Sequence, residues 1–124
     1  FHIPHGRANG ILLPYVMSFN AGCHDKLTPT AARYAQAARL IHLDGSSVRQ
    51  SALQLIRTLR RFMEELNMPS TIHQAGVDRA DFEDALDTMA EAALADRCTA
   101  ANPRECTCED IKNIYRQAFT GRSV

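Results

Sequence analysis

The sequence predicts an all-α fold, a bundle of about five helices joined by short loops. Every long apolar pattern in it repeats at spacings of three and four residues, as one face of a helix does, and none alternates as a strand would. Capping residues, glycines and prolines divide the chain at helix-length intervals. The length of 124 residues, with 45% hydrophobic and 23% charged residues, is ordinary for one globular domain.

The first two helices are predicted from their breakers and caps. The first covers about residues 5–17, and Pro14 inside it removes a backbone donor, which predicts a kink or an early end. The second begins at Thr28 and Pro29, a capping residue followed by proline at the first helical position, and ends near Leu43.

The third helix has the clearest apolar stripe. Ser46 or Ser47 can cap its start, and Pro69 lies beyond its end. The residues predicted to face the core are Val48, Ala52, Leu55, Ile56, Leu59, Phe62, Met63 and Leu66.

Two further helices complete the bundle. Asp78 and Asp81 suit the positive end of the fourth helix dipole. Thr107 caps the last helix and Gly121 closes it, while the segment TAANPREC between the two helices is predicted to be an ordered loop. The fourth helix carries the apolar residues Phe82, Leu86, Met89, Ala93 and Leu94. In the last helix the residues expected to face inward are Ile111, Ile114, Tyr115, Ala118 and Phe119.

Charge and hydropathy exclude two classes of partner. Lysine and arginine number 14 and aspartate and glutamate 14, so we expect no nucleic-acid partner and no anionic membrane partner. The longest apolar run, residues 11–17, is too short to span a bilayer. Since no signal-peptide pattern is visible, we predict a cytoplasmic protein. The start at Phe1 fits processing, trimming or truncation equally well.

Four cysteines leave two interpretations open. In a chain of this size without secretory context, we predict that the thiols are reduced. Cys98, Cys106 and Cys108 form a cluster that could hold zinc, but their spacing lacks the paired knuckles of a structural zinc site. The other interpretation is that they pack as small hydrophobic residues.

Two histidines flank the proline just before the first helix. His2 and His5 stand three residues apart, and Pro4 favours an extended approach to the helix. A neutral imidazole at this position can bind a metal if other ligands converge on it. The alternative is that both histidines cap or hinge the helix and have no chemical role.

Three stretches of the chain together indicate a family. FHIPHGRANGILLPYVMSFN closely resembles a segment of the iron-containing (group III) alcohol dehydrogenases of the form PHG-x-A-N-A-x-L-L-P-x-V-x-x-F/Y-N. LRRFMEELNMPSTIHQAGV and ALADRCTAANPRECTCEDIKNIYRQAF resemble two later segments of the same family, the second with Asp96, Asn102, Pro103 and Arg104 in place. Gly10 departs from the pattern, since the family usually has alanine there.

The resemblance implies a place in a two-domain enzyme. Family members have an N-terminal α/β domain that binds NAD(P) and a C-terminal helical domain of the dehydroquinate-synthase-like type, and residues 1–124 would be the C-terminal part of the latter. A divalent metal, Fe²⁺ or Zn²⁺, lies in the cleft between the domains and is held by one aspartate and three histidines, all from the helical domain. His5 matches the last of those histidines, and His2 occupies a variable position that could line the substrate pocket.

The resemblance also implies an activity and partners. The full-length enzyme would interconvert alcohols and aldehydes or ketones by hydride transfer, while this part alone would be inactive and would bind neither metal nor nucleotide. Its partners would be the missing N-terminal nucleotide-binding domain and a small alcohol or aldehyde. Without that domain the former cleft wall would be exposed, which predicts a homo-oligomer. The alternative is a stand-alone helical module that serves in binding or structure without catalysis.

Overall fold

The computed structural model describes residues 1–43 and 45–122, and within these ranges it contains six α-helices and no strand. The all-α class is therefore confirmed. The count exceeds the prediction by one because a single helical turn, α5, lies at the start of the segment predicted as a loop. The helices are α1 (His5–Ala21), α2 (Pro29–Leu40), α3 (Val48–Glu65), α4 (Arg79–Ala95), α5 (Arg97–Ala100) and α6 (Cys108–Thr120).

Helix α1 is the central element and is longer than predicted. Pro4 is extended, with ψ of 141°, and its carbonyl accepts the Ala8 N–H at 2.9 Å. The prediction of an early end at Pro14 was wrong, because the helix continues to Ala21. Pro14 is buried, and α1 packs against α2, α3 and α6, so tertiary packing offsets the lost backbone hydrogen bond. Gly22 ends the helix with φ of 70°.

Caps define the starts of the next helices. Thr28 is extended and Pro29 is the first helical residue, as predicted, but α2 ends at Leu40 rather than near Leu43. Of the two candidate serines before α3, Ser47 is the cap, and its Oγ accepts the Gln50 N–H at 3.1 Å.

The last helix agrees with its sequence signals at both ends. Thr107 Oγ1 accepts the Asp110 N–H at 3.1 Å, and the Asp110 carboxylate accepts the Thr107 N–H at 2.9 Å, which forms a reciprocal capping box. Gly121 ends α6 with φ of 78°. This helix packs against both α1 and α4.

Helix α1 contributes to two hydrophobic clusters. The first joins α1 to α4, α6 and the loop before α4, with Phe82 and Phe119 stacked at 4.5 Å between ring centroids. The second joins the C-terminal part of α1 to α2 and α3. The buried residues of the first cluster are Ile11, Tyr15, Ile72, Val77, Phe82, Leu86, Ala118 and Phe119. Those of the second are Met17, Ala21, Cys23, Ala31, Ala38, Leu55 and Ile56.

The apolar stripe of α3 is only partly buried. Leu55 and Ile56 lie in the core, whereas Phe62 and Leu66 near the C-terminal end are 55% and 56% exposed. Val48 at the start is also exposed. The prediction that the whole stripe faces the core of this chain was therefore wrong at both ends.

Among the described residues, no helix combines the length and the apolar character needed to cross a membrane.

Candidate metal ligand and adjoining cavities

His5 is the first residue of α1 and its side chain is exposed. The extended Pro4 before it places the ring at the helix entrance, as the sequence predicted. Its ring is in hydrogen-bond contact with Asn9, one turn further along the helix, whose Nδ2 lies 3.1 Å from His5 Nε2. With Nδ2 donating, Nε2 is the unprotonated nitrogen of the imidazole.

His2 lies before the helix and has the backbone conformation of a left-handed residue, with φ of 57°. Few residues other than glycine adopt this conformation, although histidine does so more readily than branched residues. The exposed His2 borders a cavity of 240 Å³, which we call the His2 cavity. Its lining consists of Phe1, His2, Ile3, Ala8, Ile11, Leu12, Ile72, Met89 and Tyr115.

A second cavity, of 390 Å³, lies further along the same side of α1, and we call it the Asn9 cavity. Leu12 and Tyr115 belong to the walls of both cavities, so the two are neighbours separated by these side chains. The Asn9 cavity is lined by Asn9, Leu12, Val16, Phe19, Asn20, Ala93, Cys98, Thr99, Asn102, Cys106, Ile111, Ile114 and Tyr115.

Burial shapes the electrostatics of these walls. It raises the pKa of the Tyr115 phenol above its ordinary value and raises the pKa of the Cys106 thiol, to which the nearby Asp110 carboxylate adds a smaller effect. Both groups therefore remain neutral at neutral pH. A wall of neutral and apolar groups suits the carbon chain of a small ligand better than it suits an ion.

The far end of the Asn9 cavity is held by hydrogen bonds between α1 and the loop after α5. Asn20 and Asn102 exchange two side-chain hydrogen bonds, and Arg104 donates to the Phe19 carbonyl at 2.6 Å. Arg104 also lies over the Phe19 ring, 4.2 Å from its centroid. The loop that contributes Asn102 and Cys106 is therefore fixed as a cavity wall.

The cysteines do not form the zinc cluster considered from the sequence. All four thiols are free, and no group of three or more His, Cys, Asp or Glu side chains within residues 1–43 and 45–122 is arranged to hold a metal. Cys106 and Cys108 are half-buried, which agrees with packing as small hydrophobic residues. Cys98 is exposed, so that interpretation was wrong for it, because it lies at the start of the short α5 and borders the Asn9 cavity.

The geometry thus combines an exposed imidazole at a helix entrance with apolar cavities along the same helix. The sequence profile described as "Fe-containing alcohol dehydrogenase family, C-terminal" matches residues 1–119. The chain belongs to the Fe-containing alcohol dehydrogenase family. The resemblance in the three sequence stretches is confirmed by this match.

Relatives support the assignment across the chain. An NADPH-dependent butanol dehydrogenase of Clostridium saccharobutylicum is 33% identical over 124 residues, which are all of this chain and 30% of the relative. The lactaldehyde reductase of Escherichia coli is 33% identical over 121 residues, or 96% of this chain and 29% of the relative. The chain therefore spans about 30% of the length of these curated relatives of the Fe-containing alcohol dehydrogenase family.

Solved structures of the family show the same fold. A 1,3-propanediol oxidoreductase superimposes with a TM-score of 0.80 at 31% identity, covering 94% of this chain and 28% of that one. The alcohol dehydrogenase from Oenococcus oeni gives a TM-score of 0.80 at 32% identity, with the same coverage. The helical arrangement described above is therefore that of iron-type alcohol dehydrogenases.

Asn9 is the site residue that the sequence interpretation missed. It contacts His5, which was singled out, and borders a cavity that periodicity cannot reveal. The spacing of four residues between them in a predicted helix was the available signal, since residues i and i+4 share a face. His2 and His5 lie on either side of Pro4, but only His2 borders one of the two cavities.

Proposed function

We propose that this chain is the C-terminal part of the helical domain of a metal-dependent, NAD(P)-linked alcohol dehydrogenase. The activity would interconvert small alcohols with aldehydes or ketones by hydride transfer to or from nicotinamide. Membership of the Fe-containing alcohol dehydrogenase family and relatives that act on butanol and lactaldehyde support it. The observation that carries it is the position of His5, exposed at the entrance of α1 beside the Asn9 cavity.

The proposal assigns the remaining functions to residues outside this chain. Residues 1–124 would supply the metal-facing helical wall, and an N-terminal domain would bind the nucleotide. Residues 1–124 by themselves would be inactive, because they would have neither a nucleotide site nor a full set of metal ligands. The exposed Phe62 on α3 and the exposed Leu66 directly after that helix would pack against that additional chain or against another copy in a homo-oligomer.

The residues of the chain fit the role of one metal ligand and no more. An exposed imidazole is a suitable donor for both Fe²⁺ and Zn²⁺. Among the described residues, His5 belongs to no group of three or more His, Cys, Asp or Glu side chains that could hold a metal. The other ligands would therefore come from outside the chain. His5 would then be the last of four ligands, and the aspartate and the other two histidines would lie in the part of the helical domain outside this chain.

The chemistry follows from these positions. A divalent metal bound there would supply Lewis-acid assistance, lowering the pKa of the alcohol. The apolar walls of the cavities would hold the carbon chain of the substrate and exclude water from it. His2, at the edge of the smaller cavity, would contact the substrate without binding the metal.

The test is His5→Ala in the longest natural polypeptide that contains these residues. We expect bound iron or zinc, measured by elemental analysis, to fall to background, and NAD(P)-dependent oxidation of 1-butanol to fall by about 100-fold or more. His24→Ala is the matched control, since His24 is also exposed but lies beyond the end of α1. Full metal content and activity in His5→Ala would refute the proposed ligand.

His2→Ala separates the second role from the first. Its metal content should equal that of the unsubstituted protein, while KM for 1-butanol should rise. Loss of metal from His2→Ala would instead make His2 a ligand and contradict its assignment to the substrate pocket.

A further inference from the structure

Asn9 connects the proposed metal ligand to the larger cavity. Its Nδ2 lies 3.1 Å from His5 Nε2, and its side chain also forms part of the Asn9 cavity wall. Of the five α1 residues in that wall, Asn9 is nearest to His5 along the helix, and the next two, Leu12 and Val16, are apolar. The Asn9 carboxamide is therefore a polar group that contacts the His5 ring and borders the apolar part of the wall formed by Leu12 and Val16.

The contact identifies the nitrogen that a metal would use. In a histidine side chain Nδ1 is bonded to the ring carbon that joins the backbone, so it is the inner nitrogen, and His5 is the first residue of α1, where the free N–H groups and the positive dipole disfavour a cation. Nε2 is the outer nitrogen and is directed at Asn9. Its single lone pair cannot accept from the Asn9 amide and bind a metal at the same time. A metal bound at His5 Nε2 would therefore break the hydrogen bond to Asn9 and free the Asn9 side chain.

We propose that the released Asn9 carboxamide donates a hydrogen bond to the oxygen of the substrate. The freed amide has two N–H donors one helical turn from His5, the residue at which the proposed function locates the reacting oxygen. The substrate class that fits is a small alcohol or aldehyde whose apolar chain extends between Leu12 and Val16 into the cavity. This inference rests on the proposed role of His5, and it makes Asn9 a substrate-contacting residue.

The test measures alcohol binding separately from metal binding in the full-length, metal-loaded protein. Trifluoroethanol is titrated by ¹⁹F NMR against the unsubstituted protein, Asn9→Ala and Asn9→Asp, with metal content measured on the same samples. Asn9→Ala should weaken trifluoroethanol binding about five-fold, as loss of one neutral hydrogen bond does, with metal content unchanged. Asn9→Asp keeps the shape but has no N–H donor, so it should weaken binding at least as much.

Asn113→Ala is the matched control, because Asn113 is also exposed on a helix, lies outside both cavities and should leave binding unchanged. A parallel rise in KM for 1-butanol, larger than the change in kcat, supports the proposal. Unchanged trifluoroethanol affinity in Asn9→Ala overturns it. Loss of metal from Asn9→Ala also overturns it, because Asn9 would then act through His5. Retention of metal by His5→Ala refutes the proposed function itself, and that result is read independently of Asn9.

Discussion

Asn20 and Asn102, 82 positions apart in the sequence, hold each other by two side-chain hydrogen bonds. Asn20 Nδ2 donates to Asn102 Oδ1 at 3.0 Å, and Asn102 Nδ2 donates to Asn20 Oδ1 at 2.7 Å. Asn102 Nδ2 also donates to the Arg104 carbonyl at 2.7 Å. The pair joins the C-terminal end of α1 to the loop before α6, and thus joins two of the stretches that indicate the family.

Asn102→Ala should destabilise the chain by about 2 kcal/mol, because Asn20 is only 4% exposed and would lose its partner in a site that water reaches poorly. The free energy of unfolding in urea measures this cost. Asn113→Ala on the exposed side of α6 should change it by less than about 0.5 kcal/mol. In a double-mutant cycle, Asn20→Ala and Asn102→Ala should show a coupling energy above about 0.5 kcal/mol. Simple additivity would mean that the two amides act independently.

Arg104→Lys should lower the free energy of unfolding more than Asp25→Ala, which removes the acidic partner of Arg104. Arg104 donates to the Phe19 carbonyl at 2.6 Å, lies over the Phe19 ring and pairs with Asp25 at 3.2 Å. A lysine keeps the charge but loses the planar group that stacks and donates at once, so we expect a loss of about 1–2 kcal/mol. The Asp25 side chain is 71% exposed, so Asp25→Ala should cost about 0.5 kcal/mol or less. Equal losses in urea unfolding would contradict this ranking.

Local signals predicted the helix boundaries that local chemistry determines. Ser47, Thr107 and Gly121 act within one turn of their own position, and the structure places all three at helix ends. Pro14 did not end α1, because the cost of its missing N–H is local, whereas the packing that offsets it comes from three other helices. Leu40 as the end of α2 had no glycine or proline to mark it.

The site was predictable only in part for a similar reason. His5 stands out because an unusual residue flanks a proline at a helix start, and the family motif gives it a role. The cavities that Asn9 and His2 border depend on how α1 and α4 each pack against α6, which a periodic pattern does not specify. The prediction that Phe62 faces the core was wrong because periodicity identifies an apolar face of a helix without identifying what covers that face.

Gly10→Ala should stabilise the chain by about 0.5–1 kcal/mol. Gly10 lies inside α1, where alanine is favoured over glycine by about 1 kcal/mol. An added Cβ would come within 2.7 Å of Met68 Cε and 3.3 Å of Met63 Sδ. Both atoms are near the ends of flexible side chains that can move aside, so the contact costs less than the helix gains. Thermal unfolding followed by circular dichroism measures the change. A lower midpoint for Gly10→Ala would show that the two methionines cannot yield.

The alkaline limit of stability should depend on Tyr115. Burial raises the pKa of its phenol above the ordinary value of 10.0, so the folded state keeps this proton at a pH where the unfolded chain has lost it. The unfolded state then binds fewer protons, and the free energy of unfolding must fall as pH rises above about 10. The stabilising contribution is complete below that pH and is lost as the folded phenol titrates.

Tyr115→Phe removes this group while keeping the ring, and it should make the decline above pH 10 less steep. Burial also raises the pKa of the Cys23 thiol above its ordinary 9.0, so part of the decline should begin near pH 9 and persist in the variant. Urea unfolding at intervals from pH 8 to pH 11 measures both slopes. Because burial also raises the pKa values of Tyr15 and Tyr34, the difference in tyrosinate absorbance between the unsubstituted protein and Tyr115→Phe reports the Tyr115 titration. An identical slope above pH 10 in Tyr115→Phe would show that the phenol has the same pKa folded and unfolded. The wall between the two cavities, to which Tyr115 belongs, would then be open to water.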